Sequence, residues 1–390
     1  MPHRATRFLA SLYGFCFLSE LMLIYPFYAI MFVDHGLSPM EISILFAVWS
    51  ATVIVLEVPS GVLADKYARK WILFFGQLIR AVGYVCWALF PEFWGFLIGF
   101  ILWGIEGPLS SGAFEALVYD ELKQVGREAG FVRTIGRTRS FRLIGMIVSS
   151  VAASWVVSYG YDLLLVASTI AVLGAGALLL SLPTAKPAES TADRPYLMLL
   201  RNGIRYALRE PVILRLIIFI ALAIALAGTL GEYWTIFAVE AEIPKFALGF
   251  FLALLYSIQA LASATAHCFE DLPARIFFAA FFACGLILLG AAWLMRPASV
   301  FLLLVFSFVF QVIDIVFEGK LQHAIPDETR ATVSSVKGFS TEVAGILLFL
   351  SMGGIVGPGP YRIGFLIFGV VTGVVGLVYW LLRSSFSSAR

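Results

Sequence analysis

Four carboxylates stand inside long apolar stretches of this 390-residue chain: Glu20, Glu106, Glu232 and Asp314. A charge at membrane depth costs several kcal/mol unless it is paired or hydrated, so each acid marks a candidate site for a proton or a cation. Glu20 lies between Phe17-Leu18-Ser19 and Leu21-Met22-Leu23, an almost wholly apolar setting. Glu106 sits in Trp103-Gly104-Ile105-Glu106-Gly107-Pro108, beside an expected proline kink. Glu232 is followed by Tyr233 and Trp234, where a carboxylate beside two rings could hold a cationic or aromatic ligand. Asp314 and Glu318 are one turn apart and share a helix face, with Asp314 nearer mid-membrane.

The other ionisable groups in apolar stretches are read as supports. Glu115 follows Glu106 by nine residues, about 180° round a helix, so the two do not face one cavity squarely. Glu115 is expected to meet Arg137, Arg139 or Arg142, and Glu318 to meet Lys320 or Lys337. Glu57 and Glu342 also fall in these stretches. Arg80 reads as the sole cation well inside one, and so should neutralise one of the acids, though which one is open.

Enzyme chemistry finds no support. There is no G-x-x-x-x-G-K-[ST] loop, no G-x-S-x-G and no metal-ligand spacing, and His3, His35, His267 and His323 fall near the ends of apolar runs. Cys16, Cys86, Cys268 and Cys284 form no CxxC pair and read as buried hydrophobes, without disulfide or metal. No catalytic residue, cofactor or metal is therefore expected. A net charge of +2 argues against nucleic acid as a partner.

The elements that hold these acids follow from composition. Hydrophobic residues make up 61% of the chain and charged ones 13%, with a mean hydropathy of +0.93, against about 25% charged in soluble domains. Such a surface needs lipid as its solvent. Roughly 20 helical residues cross a bilayer core, and apolar runs of that size fall at 8–33, 41–64, 71–90, 93–119, 140–160, 161–182, 211–238, 246–269, 274–295, 298–322, 331–357 and 361–383. The runs are continuous rather than alternating, which favours helices over a barrel. The first is too long for a signal h-region and lacks an Ala-x-Ala exit. Lys and Arg fall overwhelmingly in alternate loops, which places both termini in the cytoplasm; Lys245, Arg296 and Arg362 mark the opposite side.

Residues 183–210 interrupt the runs. Arg201, Arg205 and Arg209 recur every fourth position there, as on an amphipathic helix lying among anionic headgroups, with a plain solvated linker as the other reading. The expected organisation is a six-helix bundle over 1–182, a cytoplasmic linker over 183–210 and a second six-helix bundle over 211–390. Faint matches join the halves: Asp65 to Arg69 with Asp271 to Arg275, Phe114-Glu115 with Phe317-Glu318, and Gly145 with Gly345, at offsets of 206, 203 and 200. They favour parallel repeats.

Gly61-Val62-Leu63-Ala64-Asp65-Lys66-Tyr67-Ala68-Arg69-Lys70 lies between the second and third runs. It resembles the major facilitator signature, roughly G-x-L-A-D-x-x-x-R-[K/R], with Ala68 where that family usually has Gly. The segment Ile325 to Thr332 resembles the family's counterpart loop. The resemblance implies an all-α membrane fold of twelve helices in two pseudo-symmetric halves. It also implies a conformational latch at Gly61, Asp65, Arg69 and Lys70, with Asp65 near the start of the eleventh span. Glu20 would line the cavity through the first span. Two family features of proton-linked drug exporters are missing: an Arg in the fourth span and a Gly-Pro-rich fifth.

The expected function is a secondary active transporter working by alternating access. Proton-coupled export of small amphipathic or cationic compounds is favoured, since buried acids outnumber bases. Uptake of a metabolite by symport and a non-transporting sensor on the same fold are the alternatives. The partners expected are a small-molecule substrate, protons and membrane lipids, in a monomer spanning a plasma or bacterial inner membrane many times.

Overall fold

A computed structural model describes residues 2–124, 126–182, 196–326 and 329–382. Long apolar runs in lipid must satisfy their backbone internally, and they do so here as helices, with no strand among the described residues. In chain order these are α1 (Pro2–Ser19), α2 (Tyr28–Asp34), α3 (Pro39–Lys66), α4 (Arg69–Leu89), α5 (Phe93–Gln124), α6 (Phe131–Val156) and α7 (Tyr161–Leu180). They continue with α8 (Tyr196–Arg209), α9 (Pro211–Glu240), α10 (Leu248–Thr265), α11 (Ala274–Leu294), α12 (Val300–Ala324), α13 (Arg330–Val356) and α14 (Tyr361–Leu381).

Eleven segments of the described chain are long and apolar enough to cross a membrane, one for each expected span except the first. The first run, expected as one helix over 8–33, is broken into α1 and α2. Pro26 explains the break, because it donates no N–H and its ring collides with the carbonyl four residues back. The sixth helix differs too. It begins at Phe131, so the basic stretch before residue 140 is helical rather than loop.

The chain forms two compact units. The first comprises 1–37, 48–193 and 245–256; the second comprises 38–47, 194–244 and 257–390. The beginnings of α3 and α10 thus group with helices distant in sequence. In the second unit, Ser43 and Tyr233 hydroxyls lie 2.7 Å apart. In the first, Lys245 pairs with Asp34, which also accepts from the Tyr161 hydroxyl.

Each unit repeats one set of helix pairings. In the first, α1 packs on α6 and α7, and α4 on α7; in the second, α9 packs on α13 and α14, and α11 on α14. Small residues allow the closest approaches, since backbones meet where no side chain intervenes. A Cβ on Gly285 would lie 2.6 Å from Cα of Gly373 and 2.7 Å from the Gly369 carbonyl oxygen. Phe8, Leu12, Phe15, Leu73, Leu117 and Leu179 anchor the core of the first unit. In the second, the Phe219 ring sits 4.6 Å from Phe317 and 4.9 Å from Tyr379. Glu240 accepts from the Tyr361 and Arg362 amides at 2.7 and 2.9 Å, satisfying the free donors at the start of α14.

Of the expected linker, residues 183–195 lie outside the described residues. Its helix, α8, buries Gly203 and Ala207 against α13, where a Cβ on Gly203 would meet Thr332 and Val336 at 2.7 Å. Arg201, Arg205 and Arg209 stay exposed.

Gly145 is where α6 meets the end of α1. A Cβ there would lie 2.5 Å from the Phe17 carbonyl oxygen and 3.3 Å from Cβ of Glu20. Gly145→Leu is expected to cost about 1–3 kcal/mol through overpacking and to lower the melting temperature in detergent. Gly136→Ala, where nothing lies within 4 Å, is expected to leave it unchanged or raise it slightly, since Ala favours a helix interior.

Candidate functional site

The broken first span organises the first unit. Residues Glu20 to Phe27 are not in regular helix, so their backbone groups need other partners inside the bundle. Arg80 of α4 donates from Nη1 to the Ser19 carbonyl at 2.8 Å, closing the end of α1. Ser149 of α6 donates to the Met22 carbonyl at 3.1 Å, the very group that the Pro26 ring displaces. The Ile24 amide donates to Ser168 Oγ of α7 at 3.0 Å. The Tyr84 hydroxyl reaches Met22 Sδ at 2.9 Å. Three neighbouring helices therefore supply what the break removes.

Arg80 does more than cap. Its Nη2 pairs with Glu106 Oε2 of α5. Glu106 Oε1 accepts from Ser110 Oγ at 2.6 Å and Gln77 Nε2 at 3.1 Å, so both carboxylate oxygens are engaged in a buried site. The acid that Arg80 neutralises, open in the sequence, is Glu106.

Glu20, at the tip of α1, pairs with Arg142 Nη1 at 2.8 Å. The Arg142 guanidinium stands 4.9 Å from the Phe114 ring centroid and 6.0 Å from that of Phe15. Arg142 thus joins Arg80 as a second cation paired with an acid in the first unit. Because α6 starts at Phe131, Arg142 lies about three turns inside it. A cavity of about 340 Å³ opens beside both pairs, lined by Arg80, Glu106, Ser110, Phe114, Thr138, Arg139 and Arg142 among others. Glu115 lies at its margin, 4.0 Å from Arg139 with both side chains largely exposed, a pairing worth little.

The second unit treats its acids differently. Glu232 lies in α9, and no hydrogen bond or ion pair engages it among the described residues. Asp314 of α12 has no ion pair within 4 Å among the described residues, although the Lys337 charge acts on it, while its neighbour Glu318 takes Lys337 at 2.7 Å and Gln322 at 2.8 Å. The structure thus brings Glu20 and Glu106 to one cluster in the first unit and places Glu232 and Asp314 in the second. Glu57 is exposed. Of the cysteines, Cys16 and Cys284 are buried, but Cys268 is exposed beside His267, against the expectation for all four, because α10 ends at Thr265 and leaves it beyond the helix.

Residues 10–348 match the family model of the Major Facilitator Superfamily. The chain belongs to that superfamily. Among curated relatives, 112 residues are 31% identical to the inner membrane transport protein YajR of Escherichia coli, covering 29% of this chain and 22% of that one. The uncharacterized MFS-type transporter YxaM of Bacillus subtilis is 20% identical over 240 residues, covering 59% of this chain and 58% of that one. The multidrug resistance protein MdtH of Klebsiella pneumoniae is 26% identical over 147 residues, 36% of this chain and 34% of that one. The chain therefore spans from about a fifth to three fifths of these relatives' lengths. The crystal structure of the nucleoside transporter NupG has the same fold, with a TM-score of 0.78 at 16% identity, covering 99% of this chain and all of that one.

In this superfamily member the signature loop joins α3 to α4. Arg69 pairs with Asp120 near the end of α5, and Lys70 Nζ donates to the Leu182 carbonyl at 2.9 Å. Both contacts fall within the first unit. Asp120 was not singled out in the sequence; its place at the basic end of an apolar run was the available signal. Gly61 and Asp65 lie in α3, and their side chains are outside the described residues.

The buried Arg80–Glu106 pair makes a stability prediction. Removing one partner of a buried pair strands the other charge and costs about 3–5 kcal/mol, whereas replacing both by apolar groups costs far less. Arg80→Met and Glu106→Leu should each lower the melting temperature strongly. The double variant should recover part of the loss, as read by thermal unfolding in detergent.

Proposed function

We propose that this chain is a secondary active transporter that moves a small solute by alternating access and couples that movement to protons. The observation that supports this best is the interrupted first span with a charged residue at its break. Discontinuous helices of this kind form solute and ion sites near the bilayer midplane in transporters. The two units would be the moving bodies, and the loop from Gly61 to Lys70 a latch between conformations. Glu20, Glu106, Glu232 and Asp314 would form the coupling and cavity set. The chain would work as a monomer in a plasma or bacterial inner membrane, with both termini in the cytoplasm and α8 bearing its arginines toward anionic lipid.

Export of small amphipathic compounds is one direction for such a cycle, and Glu232 and Asp314 suit it. An acid inside a span that is not paired with a cation is stabilised by whatever binds it, a proton or a cation; Glu232 is the clearer case, since the Lys337 charge also acts on Asp314. The acid surplus behind a cationic substrate is confined to these two residues, because Arg80 and Arg142 match Glu106 and Glu20 in the first unit. Uptake by proton symport is a second reading, favoured by the Glu20–Arg142 pair beside the cavity.

Proteoliposomes holding a pH-sensitive dye test the coupling. They would be challenged with a panel of organic cations, organic acids and neutral solutes under an imposed pH gradient. The wild-type chain should move protons with at least one class, and Glu232→Gln on the export reading, or Glu20→Gln on the symport reading, should reduce that movement to near background. Proton-linked flux unchanged in Glu232→Gln and Glu20→Gln would remove the coupling assignment.

A further inference from the structure

We propose that the cavity of the first unit binds an anionic group of the solute, a carboxylate or a phosphate, which takes the place of Glu20 on Arg142. This rests on the symport reading above and names the substrate class of the same site.

The donors around the cavity point to an anion. Arg80, Arg139 and Arg142 line it and outnumber its two lining acids, Glu106 and Glu115, while the Ser110 and Thr138 hydroxyls already donate to Glu106 and to the Ile135 carbonyl. Its volume of about 340 Å³ lies within the range of small-molecule sites. Glu106 is a poor receptor for a ligand cation, because its two oxygens already accept from Arg80, Ser110 and Gln77. Arg80 keeps one unused donor: its Nε is buried with no hydrogen-bond partner among the described residues. Arg142 offers a planar fork suited to two-point recognition of carboxylate or phosphate, and Glu20 engages it through one nitrogen. The Phe114 ring, 4.9 Å beneath that guanidinium, fixes the fork and supplies an apolar wall for the rest of the ligand.

Exchange at Arg142 couples the anion to a proton. The charged and titratable groups facing Glu20 are Arg142 from α6, Arg80 and Tyr84 from α4, and Cys16 from its own helix. Arg80 is committed to Glu106 and the Ser19 carbonyl. Once an anion holds Arg142, the Glu20 carboxylate has lost its paired counter-charge inside the span. It then takes one proton from solution onto a carboxylate oxygen. Each anion bound brings one proton, and the charge at Arg142 stays balanced by the ligand.

The test uses the full chain purified in detergent and no gradient. Benzoate, phenyl phosphate and benzamide are titrated by calorimetry in two buffers of different ionisation enthalpy, which reads proton uptake directly. At least one anion should bind with uptake of one proton while neutral benzamide does not, and comparing the two anions tells carboxylate from phosphate. Arg142→Gln should weaken that anion by roughly tenfold or more. Glu20→Gln should tighten it and abolish the proton uptake. Should Arg142→Gln fail to fold, Arg142→Lys is expected to show the same direction of loss. Binding of neither anion, equal binding of benzamide, or affinities unchanged in these variants would overturn the proposal. Anion binding in detergent without proton-linked flux in liposomes would leave this site standing and sink the transport reading. Flux driven by cations alone would do the reverse.

Discussion

A membrane-spanning segment that stops being a helix part-way across must find partners for every backbone group it frees. That constraint shapes the first unit. Arg80 meets it at the end of α1, and Ser149 and Ser168 meet it within the break. A guanidinium at that depth has to be matched in turn, so Glu106 stands beside it with both oxygens occupied. The pair is thus less a free-standing ion pair than the far end of a backbone cap. One nitrogen holds α1, another holds α5, and α4 ties them together.

With Arg80 and Glu106 fixed in this way, the neighbouring pair is left as the adjustable one. Glu20 and Arg142 are more open than Arg80 and Glu106, with side-chain exposures of 16% and 30%. They sit where α1 gives way to irregular backbone, beside a cavity. Close packing at Gly145 brings α6 near enough for Arg142 to reach Glu20. The second unit has the same pairings of helices but an unbroken α9 and a Glu232 with no ion pair among the described residues. Two units of one architecture therefore present different chemistry: in the first, Glu20 and Glu106 each take an arginine, and in the second the Lys337 pair goes to Glu318 rather than to Glu232 or Asp314.

Much of this was legible in the sequence because hydropathy acts over twenty residues at a time. The positions of eleven spans could be read directly, and three of the acids singled out, Glu106, Glu232 and Asp314, fall within them. The break at Glu20 was harder. Pro26 and Glu20 gave a signal, but the apolar run continues across them and hydropathy does not register a lost hydrogen bond. Pairings were out of reach for another reason. Arg80 and Glu106 are 26 residues apart on different helices, and nothing local links them. Arg142 was masked by its company: Arg133, Arg137 and Arg139 before it read as a loop, while they lie with it in one helix that begins at Phe131.

The claim on which the account turns is that Glu106, by anchoring Arg80, holds the broken span closed. Hydrogen exchange on residues 20–27 in Glu106→Gln tests it directly, since Glu106 itself touches none of that backbone. The account predicts that exchange there rises many-fold, with the Ile24 amide among the affected sites, while the second unit is unchanged. Exchange over 20–27 identical to wild type, in a folded variant, would contradict it.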